Sequence, residues 1–399
     1  MRPRFALATG LALACATAPV LAAEPDPLFE RRWESLAAGG YEPLTIPVDW
    51  YDPVAPVAGA ATPYPRVEPG EADIAPTALA AAQAWAQEQN SSALIVARAG
   101  RIVSETYWQG TGRDTRFNPQ SMSKTVMALL IGTAIERGEI GSVNDPVERF
   151  ITEWRGEPRG RITLRDLLQM ASGLEQGDDG FGYKVSRENP IVRHSLGSDY
   201  TRLLLSLDPV GEPGKTFDYN NQVNQLAGLV LTRATGRPYA ELLSERLWKP
   251  LGLDDAAIPL DRAGGTAITS CCILSRPIDW LRIGELIANR GAYGGKQLVP
   301  ARWIDEMLTP SPAYRGYGYQ VWLGNQNVGG ERPPKVPLVP WQSEAFAAPA
   351  VTILHGHGGQ RVYVMPDKQL VIVRAARQWP EGWDDALLPN VIWRGTAPR

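Results

Sequence analysis

Hydrophobic residues fall into two rhythms that divide the chain. Residues 92–108, SALIVARAGRIVSETYW, carry two β-branched runs separated by Ala99-Gly100, the pattern of a β-hairpin. Residues 351–377, VTILHGHGGQRVYVMPDKQLVIVRAAR, read as a strand, a glycine-rich turn, a second strand, a turn at Pro366-Asp367 and a last strand. Residues 77–90, TALAAAQAWAQEQN, predict a helix ahead of the hairpin, and residues 119–290 are helical and loop-rich. Strands at both ends with helices between predict an α+β chain. One antiparallel sheet would be built from both chain ends and flanked by helices, with a helical lobe at about residues 140–265. Residues 24–76 are rich in proline and small residues without a steady period and predict an irregular N-terminal arm lying on a main domain of residues 77–399.

Residues 118–138, NPQSMSKTVMALLIGTAIERG, combine helix signals with a costly lysine. Asn118 reads as an N-cap, Pro119 as the first helical residue and Arg137-Gly138 as the stop, which puts Ser121 in the first turn. From Val126 to Ile135 only Gly132 and Thr133 are not apolar, so this helix is expected to be buried on most sides. Lys124 lies three residues after Ser121, on the same face. Burial disfavours an ammonium ion and lowers the lysine pKa, which makes Lys124 a base able to take the Ser121 proton. The free N–H groups and the dipole at the helix start favour an oxyanion beside Ser121. A serine followed three residues later by lysine is by itself a common coincidence, and a solvated lysine near a helix start is the alternative.

Two further elements add chemistry. Tyr219-Asn220-Asn221 precedes an apolar helical run, and residues two apart in an extended loop point the same way, so Tyr219 and Asn221 can face one cleft. Tyr219 would relay a proton and the Asn221 amide would orient both Lys124 and a substrate carbonyl; a packed tyrosine and a capping asparagine are the alternative. In LHGHGGQRVYV, Gly356, Gly358 and Gly359 flank His357 and allow backbone to approach a ligand closely. The N–H groups of Ser121 and Gln360 would then form an oxyanion hole. Zinc is a different reading of His355 and His357, but His194 is the one other histidine and no H-E-x-x-H motif occurs, so no metal is expected. GEPGKT imitates a phosphate loop, yet Pro209 stands where that motif needs its first glycine, which excludes nucleotide binding on this signal.

Charge narrows the partners. A formal charge of −3 and a pI near 5.8 supply no basic surface for nucleic acid. Residues 1–23 have a basic start, an apolar run too short to span a bilayer and a small-residue end, the build of a cleaved signal peptide, which predicts a periplasmic or secreted protein. Cys15 sits in a sequence only loosely like a lipoprotein box, so lipidation is not expected. Cys271 and Cys272 are adjacent, an arrangement that rarely allows an unstrained disulfide, and they are expected to be two small buried hydrophobes rather than a redox pair.

The elements S-x-x-K at Ser121, Y-x-N at Tyr219 and His357-Gly358-Gly359 before a strand, in that order, resemble the serine hydrolases of the class C β-lactamase and penicillin-binding-protein superfamily. The likeness runs from about Thr77 onward and is closest to the 6-aminohexanoate-dimer hydrolase and esterase-like branch. ITLRDLLQMASGL, CCILSRPIDWLRIGELIANRGAYGGKQLVPARWI and YGYQVWL support it. The resemblance implies a β-lactamase-like fold, with Ser121 as nucleophile, Lys124 as base, Tyr219 as proton relay, Asn221 as an orienting amide and His357 with Gly359 as the third element. It implies hydrolysis of a small ester, amide or peptide-like substrate through an acyl-enzyme, without metal or cofactor. His357-Gly358-Gly359 stands where β-lactamases typically have Lys-Thr-Gly, which removes a fixed positive charge and a hydroxyl and argues against efficient β-lactam hydrolysis. A β-lactamase or D-alanyl-D-alanine peptidase, and an inactive penicillin-binding-like sensor, remain the alternatives. Asp178 and Tyr183, in the loop 175–190, are further candidates for shaping the pocket, with solvated loop residues as the alternative reading.

Overall fold

The computed structural model describes residues 26–41, 46–175, 187, 192–193, 196–325, 340–377 and 383–398. The leader, Asp178, Tyr183 and His194 lie outside them.

The N-terminal arm is more ordered than its composition predicts. Helix α1, Pro27–Gly39, starts on Asp26, whose carboxylate accepts from the N–H groups of Leu28 and Phe29 at 3.1 Å, and ends on Gly40 in the left-handed region. Its periodicity is faint because Phe29 is its single buried residue. The Arg32 side chain does the anchoring instead, donating to the carbonyls of Leu196, Asp261 and Leu260 at 2.9–3.1 Å.

Further along, β1 (Val54–Val57) is followed by α2 (Pro76–Glu88), β2 (Ser91–Arg98) and β3 (Arg101–Tyr107). The buried helix α3 is Ser123–Glu136, and the helical middle holds α4 (Leu164–Leu168), α5 (Tyr200–Ser206), α6 (Asn221–Thr235) and α7 (Tyr239–Leu243). Then come β4 (Ala256–Pro259), α8 (Asp279–Ala288), β5 (Ala292–Tyr293), β6 (Lys296–Gln297), α9 (Ala301–Met307), β7 (Trp322–Leu323), β8 (Thr352–Gly356), β9 (Gln360–Met365), β10 (Leu370–Ala376) and α10 (Leu387–Arg394).

Among the described residues the main sheet has the order β3-β2-β10-β9-β8-β7, antiparallel throughout. Both chain ends build it: Val96 of β2 faces Ile372 of β10, and Ala97 faces Val371. Every residue of β2, β9 and β10 is buried, because α2 and α10 pack together over one face while α8 packs on β9 and β10. Strands covered on both sides read as continuous apolar runs, not as an alternation. β1 pairs with β4 in a separate two-stranded ladder and ties the arm to the helical middle.

Helix α3 is buried from Ser123 to Ala134, as its composition predicts. Each fully buried aliphatic side chain contributes about 1.5–3 kcal/mol, so a run such as Val126–Ile131 holds α3 firmly against α6 and α9. That burial is what forces Lys124 out of water.

Candidate active site

The chain enters α3 through a tight 3₁₀ turn, Gln120–Met122, and the helix proper begins at Ser123. Asn118 is therefore not the N-cap of α3. Its Oδ1 accepts from the Gln120 N–H at 2.8 Å, and its Nδ2 reaches Tyr51 Oη at 2.8 Å and Cys272 Sγ at 3.3 Å. Gln120 is held at φ 54, a left-handed conformation uncommon outside glycine, directly before Ser121. The end of β8 fixes this turn from the other side: a Cβ on Gly356 would collide with the Pro119 carbonyl and crowd Gln120, so only glycine admits this approach.

Lys124 Nζ stands 2.8 Å from Ser121 Oγ and donates to the Ser270 carbonyl at 2.6 Å. The side chain is 1% exposed, and burial alone pushes its pKa well below the ordinary 10.5. Its partners are a hydroxyl and a carbonyl, with no acid among them, so nothing offsets the cost of the charged form. The two residues expected to act as nucleophile and base are thus in hydrogen-bond contact.

Tyr219 lies on the same side, with its ring centroid 5.2 Å from Lys124 Nζ. The ring stacks on Trp322 at 5.4 Å and meets Tyr317 edge-on at 6.1 Å, which fixes its plane. Phe217 and Tyr314, both half-buried, continue this aromatic wall. The capping asparagine of α6 is Asn220: its Oδ1 accepts from the N–H groups of Gln222 and Val223, and its Nδ2 donates to the Glu175 carbonyl at 3.0 Å. Asn221 opens the helix as a half-buried residue of the first turn.

His357, Gly358 and Gly359 form a single turn between β8 and β9, with Gly358 and Gly359 at φ 75 and 77. His357 is half-buried, and burial together with the Arg361 charge pushes its pKa down to about 4, so the imidazole is neutral at pH 7. Gln360 begins β9, and its side chain closes on Ala376 of β10 through 2.5 and 3.0 Å bonds. His355 is buried within β8, its ring 5.7 Å from that of Trp322. Among the described residues no group of three or more His, Cys, Asp or Glu side chains is gathered to hold a metal ion.

Several residues that position this site carried no local signal. Arg374 donates to the carbonyls of Gly358, Gly359 and Gln89 and to Ser91 Oγ, all within 3.1 Å. Arg361 donates to the carbonyls of Gly356 and Gln360 at 2.9 Å and to Asp385 at 2.6 Å. Gln225 accepts from the Thr269 N–H at 2.8 Å and donates to the Ala267 carbonyl at 2.5 Å, which fixes the strand of chain leading to Ser270. Cys271 and Cys272 are joined in a disulfide, against the expectation of two separate hydrophobes. The backbone accommodates it: Cys272 takes φ 79, a conformation that adjacency in sequence does not announce.

The Beta-lactamase family model matches residues 77–396. The 6-aminohexanoate-dimer hydrolase of Paenarthrobacter ureafaciens is 26% identical over 292 residues, 69% of each chain. Esterase EstB of Burkholderia gladioli is 30% identical over 181 residues, 40% of this chain and 45% of that one. Among solved structures, a Bacillus anthracis protein provisionally named a 6-aminohexanoate-dimer hydrolase superposes with a TM-score of 0.66 at 20% identity, covering 88% of this chain and 90% of that one. With a matching model across most of its length and a serine and buried lysine in contact, the chain belongs to the Beta-lactamase family and is a serine hydrolase.

Proposed function

We propose that this protein is a periplasmic or secreted hydrolase that cleaves a small ester or amide, with no carboxylate required on its acyl part, through an acyl-enzyme on Ser121. The observation that carries the reading is the 2.8 Å contact between Ser121 Oγ and the fully desolvated Lys124 amine. Ser121 Oγ attacks the substrate carbonyl while its proton passes to Lys124 Nζ. The N–H groups of Ser121 and Gln360 stabilise the oxyanion, and Tyr219 relays that proton from Lys124 to the alcohol or amine as its bond to the carbonyl carbon breaks. Water then attacks the acyl carbon and gives a proton to Lys124 Nζ; the acyl–Oγ bond breaks, Ser121 Oγ takes that proton back and the acid product leaves. Asn221, His357 and Gly359 orient the substrate.

Two observations support a substrate without an anionic recognition group. His357 is neutral at pH 7, and the guanidinium groups that bond its turn, Arg361 and Arg374, are committed to Asp385, Ser91 and backbone carbonyls. Phe217 and Tyr314, half-buried at the edge of the aromatic cluster around Tyr219 and Trp322, offer apolar surface instead. One relative carries the name of a 6-aminohexanoate-dimer hydrolase and another that of an esterase, in keeping with either leaving group. The leader-like residues 1–23 support export.

The test is mass spectrometry of the full chain after a fluorophosphonate probe, beside Ser121→Ala, followed by p-nitrophenyl esters, p-nitroanilides and nitrocefin. Labelling at Ser121, lost in the variant, with ester or anilide turnover is the expected result. Rapid nitrocefin turnover would move the assignment to a β-lactamase, and a folded protein that does not label would move it to an inactive binding protein.

A further inference from the structure

The disulfide between Cys271 and Cys272 lies between the structural grips on Lys124 and on the Ser121 turn. Ser270, the residue before it, accepts the 2.6 Å bond from Lys124 Nζ. Cys272 Sγ accepts from Asn118 Nδ2 at 3.3 Å, and Asn118 Oδ1 holds the Gln120 N–H that sets the turn into Ser121. Ile273, the residue after it, donates its N–H to Ser123 Oγ at 3.2 Å. One short segment therefore touches the base through a carbonyl and the nucleophile's turn through a sulfur. Upstream the segment is clamped to α6 by Gln225, through Ala267 and Thr269. Downstream, the Leu274–Ala257 and Ser275–Phe117 backbone pairs hold the chain, and between them and Ser270 the disulfide ring adds its own restraint, spanning Cys272 in a left-handed backbone that a residue with a Cβ keeps only when its surroundings impose it.

The bridge is also reachable. Cys271 is half-buried, and Val48, Tyr51, Ala257 and Leu274, which pack around the pair, line a cavity of about 850 Å³.

We propose that the Cys271–Cys272 disulfide is a positioning element for Lys124 and Ser121, and that its reduction by a thiol reductant lowers the reactivity of Ser121. The inference rests on the hydrolase reading above. In the redox step one thiolate of a dithiol attacks a cysteine sulfur and breaks the Cys271–Cys272 bond. The second thiol resolves the mixed disulfide. The reductant leaves as a cyclic disulfide, having given up two electrons, and two protons complete the Cys271 and Cys272 thiols. With the ring open, the Cys272 backbone relaxes, the Ser270 carbonyl moves off Lys124 Nζ and water reaches the amine.

The experiment treats the full chain with dithiothreitol and follows three readouts. Iodoacetamide peptide mapping reports the state of Cys271 and Cys272, a fluorophosphonate reports the rate of Ser121 labelling across the pH range, and near-ultraviolet circular dichroism reports the fold. The oxidised protein is expected to resist alkylation at both cysteines and the reduced protein to take it at both. Labelling of Ser121 slows by about 10- to 100-fold on reduction, the scale of a small misplacement of a catalytic group. Its acid limb moves to higher pH as the better hydrated lysine holds its proton more tightly, and oxidised glutathione restores the original rate and profile. Cys272→Gly keeps the left-handed backbone without the bridge and falls between the two states in rate.

Equal labelling rates and unchanged pH profiles before and after reduction would overturn the proposal, as would alkylation of both cysteines without reductant. Loss of the dichroism signal together with the rate would replace it with a purely structural bridge. Oxidised, folded protein that never labels Ser121 would instead overturn the hydrolase reading and this inference with it, a failure recognisable because the alkylation pattern is then still that of an intact disulfide.

Discussion

Arg374 Nη1 stands 2.8 Å from the Gly359 carbonyl and 3.1 Å from that of Gly358, so a guanidinium buried in β10 holds the turn that carries His357. The same group bonds Gln89 and Ser91 and lies over the Trp383 ring at 4.3 Å, and its desolvation pushes its pKa down to about 9. Arg374→Met would leave three carbonyls and a hydroxyl without their donor. It is expected to destabilise the protein by about 2–4 kcal/mol in urea unfolding. Ser121 labelling in the folded fraction should slow about tenfold. Arg374→Lys should not rescue either property, since an ammonium cannot span those acceptors as a planar guanidinium does. A variant with wild-type stability and labelling would show that the turn keeps its shape unaided.

Lys124→Met should separate stability from function. Burial lowers the native Lys124 pKa, whereas the unfolded chain keeps a lysine near the ordinary 10.5. As pH falls below 10.5 the unfolded state binds a proton that the native state resists, so stability drains away down to the native pKa. Methionine removes that loss while filling a similar volume. The variant is expected to melt higher than wild type at pH 7 and to lose at least about a thousandfold in ester turnover. A lower melting temperature would mean that the bonds to Ser121 and Ser270 outweigh the desolvation of the amine.

His357 has the same sign at lower pH. Its pKa is about 4 in the folded protein against 6.5 for an exposed imidazole. The unfolded chain therefore gains a proton first, and stability declines as pH falls from 6.5 to 4, by about 2 kcal/mol after allowance for partial solvent contact. His357→Gln should flatten this decline in denaturant titrations across that window. In the wild-type protein, kcat/KM should show no inflection near pH 6.5 assignable to this residue. An inflection lost on substitution would contradict the neutral state.

Glu285 reverses the direction. It is 6% exposed in α8, and burial raises its pKa to about 7 against an opposing pull from Arg282, whose guanidinium donates instead to the carbonyls of Leu251, Thr62 and Pro63. The native carboxyl keeps its proton to about pH 7 while the unfolded one loses it near 4.5, so stability declines as pH rises through that interval. Glu285→Gln imitates the protonated form. It is expected to match wild type at pH 4 and to be about 2 kcal/mol more stable at pH 8, with ester turnover unchanged. Equal stability at pH 8 would mean the ionised carboxylate is solvated in place.

How much of this was legible in the chain depends on how far each contact reaches. The strands declared themselves, because burial on both faces leaves continuous apolar runs rich in β-branched residues, such as LIV in β2 and LVIV in β10. Ser121 and Lys124 were legible because three residues along a helical turn suffice to bring them together. The start of α3 lies beyond the residue that local pattern marks, since Asn118 spends its side chain on Gln120, Tyr51 and Cys272 rather than on the helix. Asp26-Pro27 and Gly40 mark both ends of α1, yet a helix that buries only Phe29 has little hydrophobic rhythm to announce it.

The amino-acid sequence by itself determined the sheet-forming ends, the buried helix and the pairing of Ser121 with Lys124. Tertiary structure alone decided what holds them. Ser270 meets Lys124 across 146 positions, and Arg374 meets Ser91 across 283. Local pattern records the spacing of residues along one element, whereas these contacts depend on how separate elements pack, and a carbonyl that any residue could supply leaves no mark in composition or period.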